Sequence, residues 1–344
     1  MQKKVFLVIL YLCLANILYG QLFSNNVSKV GTVAAPFLQI PVGARAVAMG
    51  GAFVSVANDA TALYWNVAGI VELEEREIIG IHSRWIAETS FDFGGLVIPF
   101  GTTGTLGLSF TSLSMDDMKV RTVENPDGTG EYFTASDINI GLSYAFRLTE
   151  RFAIGFTAKY IQQQIWHMTA SAFALDAGTT FRTDLFNGMI IGASISNFGT
   201  PMKLDGRDAR RFSPVDETKM GSNQSIPQNI EMDSWDLPLM FQFGVSTNVF
   251  NTENYRWTVA VDALHPSDNY ESLNIGSELA YQEYLFIRGG YHALFLQQGE
   301  GGLSLGIGLN SQMLFSGTII RFDYAYRDMG RLENVQFFSI ALDF

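Results

Sequence analysis

Groups able to attack, ionise or hold a metal do not converge in this chain. The four histidines, His82, His167, His265 and His292, are scattered, with no His-Glu-x-x-His and no pair at ligand spacing. No metal site is therefore expected. Gly306-x-Gly308 falls inside a strand-like pattern and opens no helix, which removes the dinucleotide reading. Neither a nucleophile elbow nor a phosphate loop is read from the chain. Carboxylates are the abundant groups. Asp176, Asp262, Glu278 and Asp323 share a polar face with Lys159, Arg147, Arg182, Arg256, Arg288 and Arg321. Opposite charges held away from water are expected to neutralise one another in a lumenal network rather than to work as an acid–base pair. No cofactor is implied, and catalysis is not expected.

The elements that carry these residues are strands. From Glu77 to the end, segments alternate apolar and polar residues at period two and are parted by turns rich in Gly, Asn, Asp, Ser and Thr. In one, Tyr255, Trp257, Val259, Val261 and Ala263 alternate with Arg256, Thr258, Ala260 and Asp262; in another, Ile320, Phe322, Tyr324 and Tyr326 alternate with Arg321, Asp323, Ala325 and Arg327. A soluble β-sandwich explains alternation alone. A membrane barrel also explains aromatic residues near segment ends, such as Tyr144, Phe146, Phe173 and Phe181, as girdles at the lipid interfaces. It explains polar faces rich in small residues, Gly141, Ser143, Gly155, Gly178, Ser304, Gly306 and Gly308, as a packed lumen. The last segment places Phe338, Ile340, Leu342 and Phe344 on one apolar face and stops on Phe344, like the assembly signal of bacterial outer-membrane barrels.

Fourteen segments are expected, near 77–86, 90–100, 104–114, 134–147, 151–166, 171–183, 188–199, 237–249, 254–264, 269–281, 284–293, 301–311, 316–327 and 335–344. The number is even, as single-chain bacterial barrels require. Connections after even-numbered segments are short, while Met115 to Phe133 and Thr200 to Asp236 are long. This is the asymmetry of periplasmic turns and extracellular loops, and it puts both termini on the periplasmic side. The 37-residue loop from Thr200 to Asp236 mixes Arg207, Arg210 and Arg211 with Asp205, Asp208, Asp216, Glu217 and Glu231, a surface composition rather than a catalytic one, which suits a solvated loop or one that binds a ligand or partner.

Composition agrees. Hydrophobic residues are 47 % and charged residues 16 %, against roughly 25 % charged in soluble domains. Past residue 20 no apolar block reaches the roughly 18 residues of a spanning helix. A net charge of −12 disfavours nucleic acid as a partner. Lys3 and Lys4 precede an apolar run from Val5 to Ala15, read as a signal peptide over 1–20 cleaved near Gly20. Cys13, the sole cysteine, goes with it, so disulfides are excluded from the exported chain. Residues 21–76 then precede the barrel of 77–344.

Within 21–76, the run from Gly43 to Ile70 is built of small residues and punctuated by glycine, suited to short helices packed closely as a plug. Arg45 and Asp59 are its two charges, and they are expected to anchor that plug to the wall. Gly43-Ala-Arg45-Ala-x-Ala-Met49-Gly50-Gly51-Ala-Phe, followed by Ala-Asn58-Asp59-Ala-Thr-Ala-Leu-Tyr64-Trp65-Asn66-x-Ala-Gly69-Ile, resembles the N-terminal signature of the PorV/PorQ family. Where that family usually has Asn-Pro-Ala, this chain has Asn66-Val67-Ala68. The resemblance implies an outer-membrane barrel of FadL-like architecture, fourteen antiparallel strands with an N-terminal hatch of short helices. It also implies a role in type IX secretion, binding the C-terminal signal domain of cargo or partners in the translocon.

Three functions follow from different classes. The favoured one is a non-enzymatic interaction barrel that engages cargo or translocon. A second is a FadL-like transporter of long-chain fatty acids or other hydrophobic compounds. It needs an apolar path, which segment two would suit because Leu96 and Ile98 oppose an equally apolar Phe91, Phe93 and Val97. The third is a structural protein whose only partner is outer-membrane lipid.

Overall fold

The computed structural model describes residues 29–214, 218, 225–296, 299, 301–311 and 318–344. The signal peptide, Asp216, Glu217 and the turn from Gln312 to Phe315 lie outside the described residues.

Fourteen long strands form one closed antiparallel barrel: β1 (Glu77–Arg84), β2 (Ser90–Pro99), β3 (Thr105–Ser114), β4 (Ala135–Thr149), β5 (Phe152–Ile165), β6 (Met168–Arg182), β7 (Ile190–Gly199), β8 (Met240–Asn251), β9 (Tyr255–Pro266), β10 (Ser272–Tyr281), β11 (Leu285–Leu294), β12 (Leu303–Asn310), β13 (Ile319–Asp328) and β14 (Asn334–Asp343). Each pairs with its neighbours in sequence, and β1 closes on β14 from Glu77↔Asp343 to Ser83↔Phe337. Closure leaves no open edge, as a sheet in hydrocarbon requires.

Alternation is turned inside out relative to a soluble protein. On β3, Leu106, Leu108 and Phe110 are exposed while Thr105, Ser109 and Thr111 are buried. On β14, Phe338 and Ile340 are exposed, as is Phe344 just beyond it, while Val335, Phe337, Ser339 and Ala341 are buried. Outward apolar and inward small or polar residues are what a lipid-facing wall needs. A sandwich would bury the set that is exposed here.

The buried core is the plug. A 3₁₀ turn at Pro36–Gln39, helix α1 (Ala44–Ala48), helix α2 (Ala62–Trp65) and a 3₁₀ stretch at Val67–Glu72 fill the lumen, and Met49, Phe53, Ile70 and Phe37 are almost fully buried there. Neither helix exceeds five residues, so neither holds itself by backbone bonds alone. Their order comes from the wall. Short connections lie at one end of the barrel and the two long loops, 115–134 and 200–239, at the other.

Of the two termini expected at one end, the N-terminal residues 1–28 lie outside the described residues. Phe344 pairs with Arg76 at the short-turn end, with amide bonds of 2.9 and 3.3 Å. The stretch before the plug lies at the opposite mouth: the Ala34 amide donates to Asp236 O at 2.8 Å and the Ala35 amide to Gln163 Oε1 at 2.9 Å. Residues 36–76 therefore lead from the long-loop mouth to β1 at the short-turn end. A plug that threads the bore must enter and leave at different ends.

Candidate functional site

Small residues let the plug come into backbone contact with the wall, and the wall answers with glycine. A Cβ on Gly290 would lie 2.2 Å from Met49 C, and one on Gly276 2.4 Å from Met49 O. Gly178 meets Asn66 Oδ1 and Gly192 meets Val54 O in the same way. The glycine-rich inner faces read from sequence are thus docking grooves. In the plug, Gly50 adopts φ 65°, which favours glycine, and its backbone abuts Tyr291.

Polar anchors surround the plug. Asp262 on β9 accepts the Phe53 and Val54 amides at 2.7 and 2.8 Å. Ser339 on β14 accepts the Ala44 amide at 2.8 Å, and Glu77 on β1 accepts the Ala60 amide at 3.0 Å. Asn66 donates to Val54 O at 2.8 Å and to Thr179 O on β6 at 3.0 Å. Its Oδ1 accepts the Ala68 amide at 3.3 Å, so Asn66 caps the 3₁₀ stretch where Val67 takes the position the family usually gives to proline. Trp65 Nε1 donates to Val42 O at 2.7 Å, and the Tyr64 hydroxyl to Leu38 O at 3.2 Å. Gly43 and Gly51, with φ of 90° and 76°, and Gly69, against Ala57 O, set the bends between these contacts.

Arg45 is the charged link. It donates to Asp59 at 2.9 Å and Asn58 at 2.6 Å within the plug, and to Glu278 on β10 at 3.0 Å. Glu278, fully buried, also meets Arg288 at 2.7 Å and Arg256 at 3.1 Å. Each arginine has a second carboxylate: Arg288 reaches Asp323 and Arg256 reaches Glu283. Burial would raise the Asp59 carboxyl, but Arg45 and then Arg321 hold it below its ordinary 3.8. Burial would likewise lower the Arg45 guanidinium, and Glu278 and Asp59 push it up instead. Both stay ionised at neutral pH.

The single lumenal network expected from sequence is divided. Arg321 pairs with Glu77 and Asp343. Lys159 and Asp176 pair apart from the rest, with Lys159 also on Asn197 at 3.0 Å, because they lie on β5 and β6 across the bore. Asp262 binds backbone amides and no cation among the described residues. Arg147 and Arg182 both reach Glu72 at the short-turn mouth, half exposed. Strand parity places charges on the inner face but leaves open their depth and position around the bore.

The inner face of segment two is covered by the plug. Phe91, Phe93 and Val97 point inward and pack with Phe37, Leu38 and Leu63 of the plug in one core. The histidines stay apart: His82 pairs with Asp92, His167 with Asp208 and His265 with Glu271, and His292 is half-buried at the long-loop mouth. Sequence reading passed over Gly302-Leu303-Ser304-Leu305-Gly306, which does spell Gly-x-Ser-x-Gly. Ser304 sits within β12, fully buried, with no strand-to-helix turn and no hydrogen-bond partner among the described residues, so it is no nucleophile elbow. Among the described residues no cluster of His, Cys, Asp or Glu is arranged to hold a metal.

Above the plug, at the long-loop mouth, lies a vestibule of about 280 Å³ walled by Trp65, Trp85, Leu264 and Leu296 and by polar Asn274, His292 and Arg327. Sequence reading missed it, because its residues come from separate strands and the plug. The described parts of the long loops beside it carry short paired strands. Met118–Lys119 pairs with Tyr132–Phe133, Arg210–Ser213 with Ile226–Asn229, and Met202–Lys203 with Ser234–Trp235. They leave Phe212, Trp235, Tyr132 and Val123 exposed.

A closed barrel with an apolar outer band and an anchored plug defines an outer-membrane β-barrel with an N-terminal hatch. Among solved structures the chain is similar to a FadL homologue of Pseudomonas aeruginosa, with a TM-score of 0.53 at 11% identity over 88% of this chain and 98% of that one. It is also similar to the toluene transporter TbuX of Ralstonia pickettii, at 0.51 and 12% over 88% and 97%, and to the toluene transporter TodX of Pseudomonas putida, at 0.53 and 10% over 88% and 97%. These identities speak to fold. A family model, "Type IX secretion system protein PorV", matches residues 23–226, more than half of the chain. The chain belongs to that family. No curated protein matches it.

Proposed function

We propose that this barrel acts non-enzymatically in type IX secretion, binding cargo C-terminal signal domains or translocon partners through its long-loop end. The carrying observation is the family match over residues 23–226. Two features of the structure support it. The plug is hydrogen-bonded to β1, β6, β9, β10 and β14, spread around the bore, so free passage requires breaking several buried contacts. The long-loop mouth carries structured hairpins with exposed aromatic residues, the kind of surface that binds proteins. Aromatic side chains there bring contact area without a lumenal route.

The test is mild detergent extraction from native outer membranes, followed by identification of what co-purifies. Translocon subunits, or cargo sharing a C-terminal domain, are expected with the wild-type barrel. They should be lost on replacing Met118 to Phe133 by a short turn, while heat-modifiable migration of the barrel persists. Recovery of the barrel alone with bound fatty acid would overturn the reading in favour of hydrophobic transport.

A further inference from the structure

The lumen-facing arginines Arg147, Arg182, Arg256, Arg288 and Arg321 each meet a carboxylate. Arg327 does not. It lies near the long-loop end of β13, opposite Ser304 of β12 and Val335 of β14, and borders the vestibule. Its Nε is buried without a hydrogen-bond partner among the described residues, and none of them forms an ion pair with it. Asn274 of β10 borders the same cavity and is fully buried. Its Oδ1 accepts the Ala293 amide at 2.9 Å, but its Nδ2 is likewise without a partner. Buried donors left unmade cost about 1–3 kcal/mol each, more when charged, so two residues with such donors at the wall of one cavity favour an acceptor beside them.

We propose that the vestibule is a carboxylate-binding site, in which Arg327 and Asn274 hold a carboxylate at the end of an extended chain entering from the long-loop mouth. Both free groups are donors, which selects a ligand that only accepts. A planar guanidinium matches a carboxylate in a forked geometry that an amide or alcohol does not reproduce. Trp65, Trp85, Leu264 and Leu296 give the chain behind the carboxylate an apolar wall, while Gln242 and Asn269 offer amides to backbone groups. A volume of about 280 Å³ lies near the lower bound of ligand pockets and admits a chain terminus rather than a folded domain. The inference rests on the secretion reading for the natural source, since every secreted polypeptide ends in a free α-carboxylate. A fatty acid offers the same group.

The test uses the full chain in detergent and three probes: the peptide acetyl-Thr-Val-Leu-Thr-Val-Leu as free acid, the same peptide as C-terminal amide, and octanoate. Binding is read by calorimetry and by Trp emission. The free acid should bind about tenfold or more tightly than the amide, the size expected of a charge-assisted bond. Arg327→Gln should abolish the difference and Arg327→Lys restore part of it. Octanoate binding that depends on Arg327, without peptide binding, would keep the carboxylate site and assign its source to lipid. Equal binding of acid and amide, or of neither, would overturn the proposal, and the acid–amide comparison on the wild type stands even where a variant fails to fold. Cargo that still co-purifies alongside such a result would leave the secretion reading intact.

Discussion

Arg45→Ala removes the side chain that ties the plug to the wall. Breaking one partner out of a buried ion pair costs about 3–5 kcal/mol. The wall side is cushioned, because Glu278 keeps Arg288 at 2.7 Å and Arg256 at 3.1 Å. The plug side is not: Asp59 retains Thr61 as its hydrogen-bond partner and the more distant field of Arg321. The lower end, about 3 kcal/mol, is therefore expected, a shift of about two powers of ten in the balance between docked and loosened plug. The plug should stay in the bore, since the Asp262, Ser339, Glu77 and Asn66 contacts survive. Arg45 also borders two cavities of about 140 and 550 Å³ below the plug, and its removal should join them. Planar-bilayer recordings should then show raised single-channel conductance, and amides from Asn58 to Thr61 should exchange faster. Unchanged conductance together with unchanged exchange would refute the anchoring argument. Arg147→Ala, at the half-exposed mouth, is the control and should do neither.

Gly290→Val should block docking or assembly, because its Cβ would lie 2.2 Å from Met49 C and 2.3 Å from Gly50 N, backbone on backbone. Overpacking of this kind costs about 1–3 kcal/mol or more, whereas Gly94→Val meets nothing within 4 Å; heat-modifiable migration separates the two. Since the Asp59 carboxyl is held below its ordinary value, its anchoring contribution is full above about pH 4 and lost only as pH falls through the lower folded value. The conductance difference between Arg45→Ala and the wild type should therefore be the same at pH 7 and pH 5; a difference already gone at pH 5 would contradict the ion-pair geometry. Leu142→Arg, on the lipid face of β4, should cost about 2–4 kcal/mol in urea unfolding from lipid vesicles, and a neutral result would argue against that face meeting lipid.

Strand number, inside-out alternation and short-turn parity were legible because each rests on period two, which a single strand displays without its neighbours. All fourteen segments fall where alternation places them, with ends shifted by a few residues, as at Met240–Asn251 against the expected 237–249. The small-residue run from Gly43 to Ile70 was legible for the same local reason, since only small side chains allow backbone to approach backbone. Sequence also set which charges face inward, but not their partners. Arg45 meets Glu278 across 233 positions and Asp262 holds amides 208 and 209 positions away. Such pairings depend on closure, stagger and the path of the plug, which no local pattern encodes. The direction in which the plug threads the bore, the division of the charges into separate clusters, and the vestibule with Arg327, which has no carboxylate partner among the described residues, were decided by tertiary structure alone. Each depends on residues from distant strands meeting in a space that exists only once β1 has closed on β14.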